Sequence, residues 1–301
     1  MAFPPPVLFF LIRILDKIMN KTRLTKPALL LGLFMISLPA FSNGGPLDPP
    51  PGGPAPSMRT LDDIGEAADA GVDTRVIIDA VPVVIDEPGS YVLTQNLEVS
   101  ETDVTAITIE SSHVSLDLNG FTLSGPGSGT GRGVAVAQLT NNVAVKNGTI
   151  RNWGYQAIFS RNSPNGTFTD LFLSDNGSDG ILVGPGSLIH RVRAVGNSGH
   201  GVFLMEGNGC VVSHVIAQEN TLSGIHVKRS IVKNCLATGN GAHGIHNPTG
   251  TIKNSVANGN GEYGVSMEGT IGVIAFSSAT ENTLGDMNAS SATITGSSSD
   301  N

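Results

Sequence analysis

Asparagine recurs through the second half of this chain at positions 176, 197, 220, 240, 260 and 282, at intervals of 20 to 23 residues. Glycine follows each of the first five after four positions, as Gly180, Gly201, Gly224, Gly244 and Gly264, and Asp286 takes the sixth place. An aliphatic residue comes after each glycine: Ile181, Val202, Ile225, Ile245 and Val265. Seven residues before the glycine, a small or aliphatic column reads Leu173, Ala194, Ala217, Ala237, Ala257, then Ala279. Twelve before it, an apolar column reads Phe168, Ile189, Val212, Val232, Ile252, then Ile274. Between them, ten before the glycine, lies a mixed polar column of Asp170, Arg191, His214, Asn234 and Asn254.

A period of this length demands a repeat architecture. Helical repeats run longer and do not tolerate a Gly and an Asn per unit at such density. No Leu-x-x-Leu-x-Leu unit recurs, which sets leucine-rich repeats aside. The segments between the punctuating residues are short and alternating, as in Gly244-Ile245-His246 and Thr251-Ile252-Lys253. They read as short strands joined at residues that tolerate left-handed backbone. Stacked coils then pair every strand with the coils above and below, at about 4.8 Å per coil. Equivalent side chains fall into vertical files, and a buried Asn file satisfies its amides along the stack. The expectation is an all-β parallel β-helix of about eight coils over residues 107–290. A Gly-rich exposed loop is expected at 125–133, and a Ser-rich tail at 293–301 that caps the far end weakly or frays.

Of 301 residues, 40% are hydrophobic, enough for a core, and only 5% are aromatic, so that core is aliphatic. Two cysteines make no disulfide framework. Cys210 and Cys235 fall at different places in neighbouring coils, so a bond between them is open but not favoured. The net charge of −8 is unevenly spread. Residues 43–110 hold 13 acids and two bases, whereas residues 132–253 hold ten bases, five acids and six of the seven histidines. A nucleic-acid-binding domain would be far more basic, but a local site for an acidic ligand remains open.

Lys21, Arg23 and Lys26 precede an apolar run at 28–38, followed by Pro39 and Ala40-Phe41-Ser42. This is the pattern of a secretory signal over residues 1–42, with cleavage after Ser42 and Met19 as an alternative start. The run is short for a span of roughly 20 residues, so no stable membrane span is expected after cleavage, and the chain is expected to be secreted or at the cell surface. Residues 43–58 read as a Pro/Gly-rich linker. Residues 59–106 read as an N-terminal cap over the first open edge, with Thr60 and Asp63 starting a short helix. Residues 107–301 are the β-helix.

The Asn-x-x-x-Gly coils occur together with LDLNGFTLSG (116–125), VKNGTIRNW (145–153) and PGSYVLTQNL (88–97). In these the chain resembles the right-handed parallel β-helix repeat proteins of the pectate-lyase-like superfamily, over most of residues 46–290. The resemblance implies a right-handed helix, which parallel crossovers also prefer. It further implies an extracellular polysaccharide as partner.

The columns place one outward position after each glycine, reading Phe159, Leu182, Phe203, His226, His246 and Ser266 down the stack. The residue before each glycine forms a second stripe: Gln156, Asp179, His200, Ser223, His243 and Tyr263. Lys228 and Arg229 lie beside the basic part of this face. Solvated polar positions on an exposed sheet would look the same. Gly199-His200-Gly201, His226-Val227-Lys228 and Asp179 are similar to elements of polygalacturonase-type hydrolases. Ser178 and Gln156, however, stand where that family's further carboxylates lie, and inverting hydrolysis needs two. The resemblance leaves β-elimination or C5-epimerisation of a uronic-acid polymer as the better enzymatic reading. His200, His226, Lys228, His243, Tyr263 and Asp179 are the catalytic candidates, since a proton must be abstracted beside a carboxylate whose developing charge is stabilised. Arg229, His246, Phe159, Leu182 and Phe203 are candidates for substrate binding. The other class is a non-catalytic adhesin, carbohydrate-binding or scaffold module using the Phe159, Leu182, Phe203 stripe. His226, His243 and His246 lie on two stripes, so Zn²⁺ is not expected. Asp170, Asp175 and Asp179 would bind Ca²⁺ only if they point together.

Overall fold

The computed structural model describes residues 74–204, 209–269, 271–290 and 292–299. The expected signal segment, the linker and the start of the expected cap lie outside the described residues. Among the described residues all regular structure is β-strand, and no helix is long and apolar enough to cross a membrane.

Ten short strands stack in sequence order into one parallel sheet: Val83–Ile85, Ile107–Ile109, Val134–Val136, Ile158–Ser160, Ile181–Val183, Val202–Phe203, Ile225–His226, Ile245–His246, Tyr263–Ser266 and Gly285–Asn288. The remaining strands form an eighteen-stranded sheet to which most turns contribute two runs. The fold is a parallel β-helix of about ten turns, close to the eight read from the columns. One of the added turns begins at Val83–Ile85, whose register is Val83↔Ile107 and Ile85↔Ile109. Val76–Ile78 and Gly89–Leu93 likewise pair within the stack. The described part of the segment expected to act as a cap is thus itself built as stacked turns.

The files fall where the period places them. Ile181↔Val202↔Ile225↔Ile245↔Val265 is one inward file, and Phe168↔Ile189↔Val212↔Val232↔Ile252↔Ile274 is a second. All eleven of these side chains are buried. The mixed polar column has a backbone cause: Asp170, Arg191, His214, Asn234 and Asn254 all take positive φ, between 50° and 57°, at the bend between the two runs of each turn. What the position selects is tolerance of left-handed backbone, so the chemistry of the side chain can vary.

The Asn file is a continuous hydrogen-bonded ladder. Each amide nitrogen donates to the next Asn oxygen: Asn176 to Asn197 (2.8 Å), Asn197 to Asn220 (2.9 Å), Asn220 to Asn240 (3.0 Å), Asn240 to Asn260 (2.9 Å) and Asn260 to Asn282 (2.8 Å). The glycine column follows from this ladder. A Cβ on Gly244 would lie 2.7 Å from Asn260 Nδ2, 2.6 Å from the Gly264 carbonyl oxygen and 2.9 Å from Ala257 Cβ. Asn, Gly and Ala are therefore one packed unit, each small or amide-bearing because of the others. The ladder ends at Asp286, whose Oδ1 accepts from Asn282 Nδ2 at 3.0 Å. With no further Asn to accommodate, the sixth glycine is released.

Candidate functional site

The outward face of the ten-stranded sheet carries both stripes. Phe159↔Leu182↔Phe203↔His226↔His246↔Ser266 are register partners in adjacent strands. The second stripe is aligned by the backbone: Gly201 N–H donates to the Ser223 carbonyl, Gly224 N–H to that of His243 and Gly244 N–H to that of Tyr263.

Together the stripes form an unbroken string of rings. His200 lies 4.5 Å from Phe203 and 4.8 Å from His226, between ring centroids. His226 lies 4.5 Å from His246, His246 stacks on His243 at 5.1 Å, and His243 stacks on Tyr263 at 5.9 Å. Four histidines separated by up to 46 positions in the chain thus share one surface.

Their hydrogen bonds set their roles. Ser223 N–H donates to His200 Nδ1 (3.1 Å), so the neutral ring carries its proton on Nε2. The Tyr263 N–H likewise donates to His243 Nδ1 (3.3 Å), while His243 Nε2 faces Glu262 Oε2 at 3.1 Å. His246 Nδ1 is 3.1 Å from Ser266 Oγ, which in turn donates to Glu268 (3.4 Å). Among the described residues His226 makes ring contacts and no hydrogen bond. Both of its nitrogens are free to meet a ligand.

Burial disfavours the charged imidazole. It lowers His200 to about 4, and it lowers His226 to about 3, with help from His246, His200 and His243. His246 is lowered too, by burial first and by His243 second. His200 and His226 are therefore neutral at pH 7 and supply hydrogen-bonding nitrogens rather than positive charge.

Asp179 lies at the N-terminal end of the string, 7% exposed. Its Oδ1 accepts the His200 N–H at 2.8 Å, and burial raises its pKa. Leu182 is buried between the rings of adjacent turns, so it supports the face more than it presents to solvent. Lys228 is exposed two residues beyond His226, and Arg229 takes a positive φ of 51° at the turn that follows. Both are adjacent to the string in the chain and lie outside its ring contacts. The positions flanking Asp179 are Ser178, whose Oγ accepts from Gln156 Nε2 at 3.2 Å, and Gln156 itself. No second carboxylate stands there for a hydrolytic pair.

Among the described residues no three His, Cys, Asp or Glu side chains are grouped to hold a metal. Asp170 is tied to Arg191 by a pair of bonds, the second at 2.7 Å, and Asp175 occupies a left-handed turn, so the three aspartates serve three different purposes. Cys210 and Cys235 are both buried and free. Burial raises both thiols, Cys235 to about 11.

The columns did not reveal Arg132, Glu262 or Glu268. Arg132 immediately precedes Gly133, two turns before the Asn ladder starts, so the Asn period alone could not reach it. Its place before a glycine aligned with Ala157 was the available signal.

Comparison with known proteins gives a family and a set of folds. The family described as right handed beta helix region matches residues 83–247 and 173–301. No curated protein matches the sequence. Solved structures similar to this chain include the periplasmic alginate epimerase AlgG, with a TM-score of 0.47 at 16% identity over 69% of this chain and 70% of that one. They also include the Azotobacter vinelandii mannuronan C-5 epimerase AlgE4 A-module, with a TM-score of 0.47 at 14% identity over 78% of this chain and 89% of that one. The catalytic domain of a GH87 alpha-1,3-glucanase matches with a TM-score of 0.45 at 8% identity over 74% and 62%.

Proposed function

The chain belongs to the right-handed β-helix family, and from that premise we propose that it binds an acidic polysaccharide along the ten-stranded sheet and abstracts a proton beside a sugar carboxylate. The observation that carries this reading is His226, central in a string of rings and with both nitrogens unengaged. A neutral imidazole at that place can accept the proton from the carbon next to the carboxylate. The electron pair left behind spreads into the carboxylate, where a cation stabilises it. In this reading Lys228, exposed two residues after His226, is the cation assigned to that role. When the neighbouring carbon–oxygen bond breaks, the proton taken up by His226 passes to the departing sugar oxygen and an unsaturated chain end remains; when instead a proton is returned to the opposite face of the same carbon, the epimer forms. In this reading Tyr263, stacked on His243, is the group assigned to return that proton.

The test is incubation with alginate and pectate in deuterated water, following ultraviolet absorbance for elimination and NMR for deuterium uptake at C5. Wild-type turnover lost in His226→Ala and Lys228→Ala supports the reading; turnover unchanged in both removes these residues from it. Export through a signal over residues 1–42 would bring the chain to such a polymer. A mature chain beginning after Ser42 by mass spectrometry supports export, and one retaining residues 28–38 overturns it.

One observation favours a second reading, a binding module without chemistry. Burial that holds His200 near 4 and His226 near 3 makes weak proton acceptors of them. Binding to a glycan array with neither absorbance change nor deuterium uptake on any uronan selects that reading.

A further inference from the structure

The second stripe continues one turn upstream of Gln156, to Arg132, whose neighbour Gly133 donates its N–H to the Gln156 carbonyl. This guanidinium is held on three sides. Its Nε donates to Gln156 Oε1 at 2.9 Å. Its centre lies 4.5 Å from the Phe159 ring centroid and 4.7 Å from that of Tyr155.

The backbone beneath is equally fixed. Ala106 N–H donates to the Arg132 carbonyl (3.0 Å), and Tyr155 N–H donates to the Gly131 carbonyl (3.1 Å). Gly131 is packed so tightly that an added Cβ would sit 2.3 Å from the Val104 carbonyl oxygen. Asp103 pins the Gly-rich loop by accepting from Thr130 N–H (2.6 Å) and Thr130 Oγ1 (2.9 Å).

Arg191 and Arg75 each pair with an aspartate. Arg132, half-buried, pairs with no carboxylate among the described residues, and its Nη edge makes no hydrogen bond there. A guanidinium stays charged at such a place even though burial lowers its pKa. Immobilised with two parallel N–H donors unengaged, it matches the planar edge of a carboxylate.

We propose that Arg132, backed by Tyr155, Phe159 and Gln156, is a specificity subsite that binds the carboxylate of an acidic sugar unit distant from the reacting one. The assignment rests on the reading that the strip holds an acidic polysaccharide. It adds where selection for the acid is made: three turns, or about 14 Å, upstream of His200. Tyr155, 38% exposed, offers a ring edge and face for the sugar that carries the carboxylate.

The experiment compares wild-type, Arg132→Gln and Arg132→Lys full-length chains for binding to polyuronate and to the same polymer with its carboxyls reduced. A parallel titration of free glucuronate follows the Arg132 Nε–H resonance of the wild-type protein. The expected result is affinity for polyuronate reduced about tenfold in both variants, with affinity for the reduced polymer unchanged and thermal melting preserved. Wild-type binding of polyuronate that both variants retain overturns the subsite and leaves the proposed function standing. No polyuronate binding by the wild type, with Arg132 Nε–H still shifted by glucuronate, overturns that function and leaves the subsite. No binding and no shift overturns both.

Discussion

At the scale of single residues, the Asn, Gly and Ala files are one interlocked contact. Gly244→Ala has to place its Cβ 2.6 Å from a carbonyl and 2.7 Å from an amide nitrogen. We expect a loss of about 1–3 kcal/mol in urea unfolding, the range for overpacking a closed core. The histidine string makes stability depend on acidity. His200 and His226 are held near 4 and 3 in the folded chain, below the ordinary 6.5. Between those values and 6.5 the unfolded chain binds protons that the folded chain refuses. The histidines therefore impose no penalty above about 6.5, and stability falls as pH drops towards 4. Asp179, whose pKa is raised, works in the opposite sense and softens the loss at the acid end. The urea midpoint should decline from pH 7 to pH 4, and the decline should be shallower in His226→Gln; identical profiles would show that the string does not titrate with folding.

At the scale of elements, each turn is stabilised by its two neighbours, so the terminal turns are the weakest. The last runs, Thr293–Thr295 and Ser298–Ser299, are exposed throughout, and Ile271, Phe276 and Leu284 are all more than half exposed nearby. Phe276 also occupies the left-handed bend that Asn234 and Asn254 fill in earlier turns, at a φ of 49°. Amide exchange should be fastest from residue 271 onward and slowest between 181 and 257. Phe276→Asn should stabilise the chain by about 0.5–1 kcal/mol in urea unfolding, because Asn tolerates that backbone better.

These same elements show what was legible in the sequence. The Asn, Gly and aliphatic files could be read because stacking turns a period into a contact, and His200, His226, His243 and His246 meet as that rule requires. The early turns were harder to read. Between Val83 and Trp153 no Asn ladder exists and the Gly-rich loop lengthens one turn, so the period blurs there; Arg132 lay hidden behind that irregularity. Nor does the period carry the state of a side chain. The neutrality of His200 and His226 comes from burial, which depends on how far neighbouring rings lean over them.

At the scale of the whole molecule, the working face is a line. From Arg132 to Tyr263 the second stripe crosses seven turns, which corresponds to about 29 Å along the stack. A linear ligand that engages both ends should gain affinity with length until it covers that distance. Oligouronates too short to reach from Arg132 to His226 should bind at least tenfold more weakly than longer ones by isothermal titration calorimetry, because contacts at one end only are available to them. A flat length dependence would mean that a single turn holds the ligand.

The amide ladder also has a direction. Every Asn from 176 to 260 gives its Nδ2 proton to the Asn after it, and Asp286 receives the final one. A duplicated unit of about twenty residues, inserted between Asn197 and Asn260, would find a donor upstream and an acceptor downstream already waiting. The same unit grafted after Asp286 would meet a carboxylate with no proton to offer. Evolution or an engineer can thus lengthen this protein from its middle far more readily than from its tail.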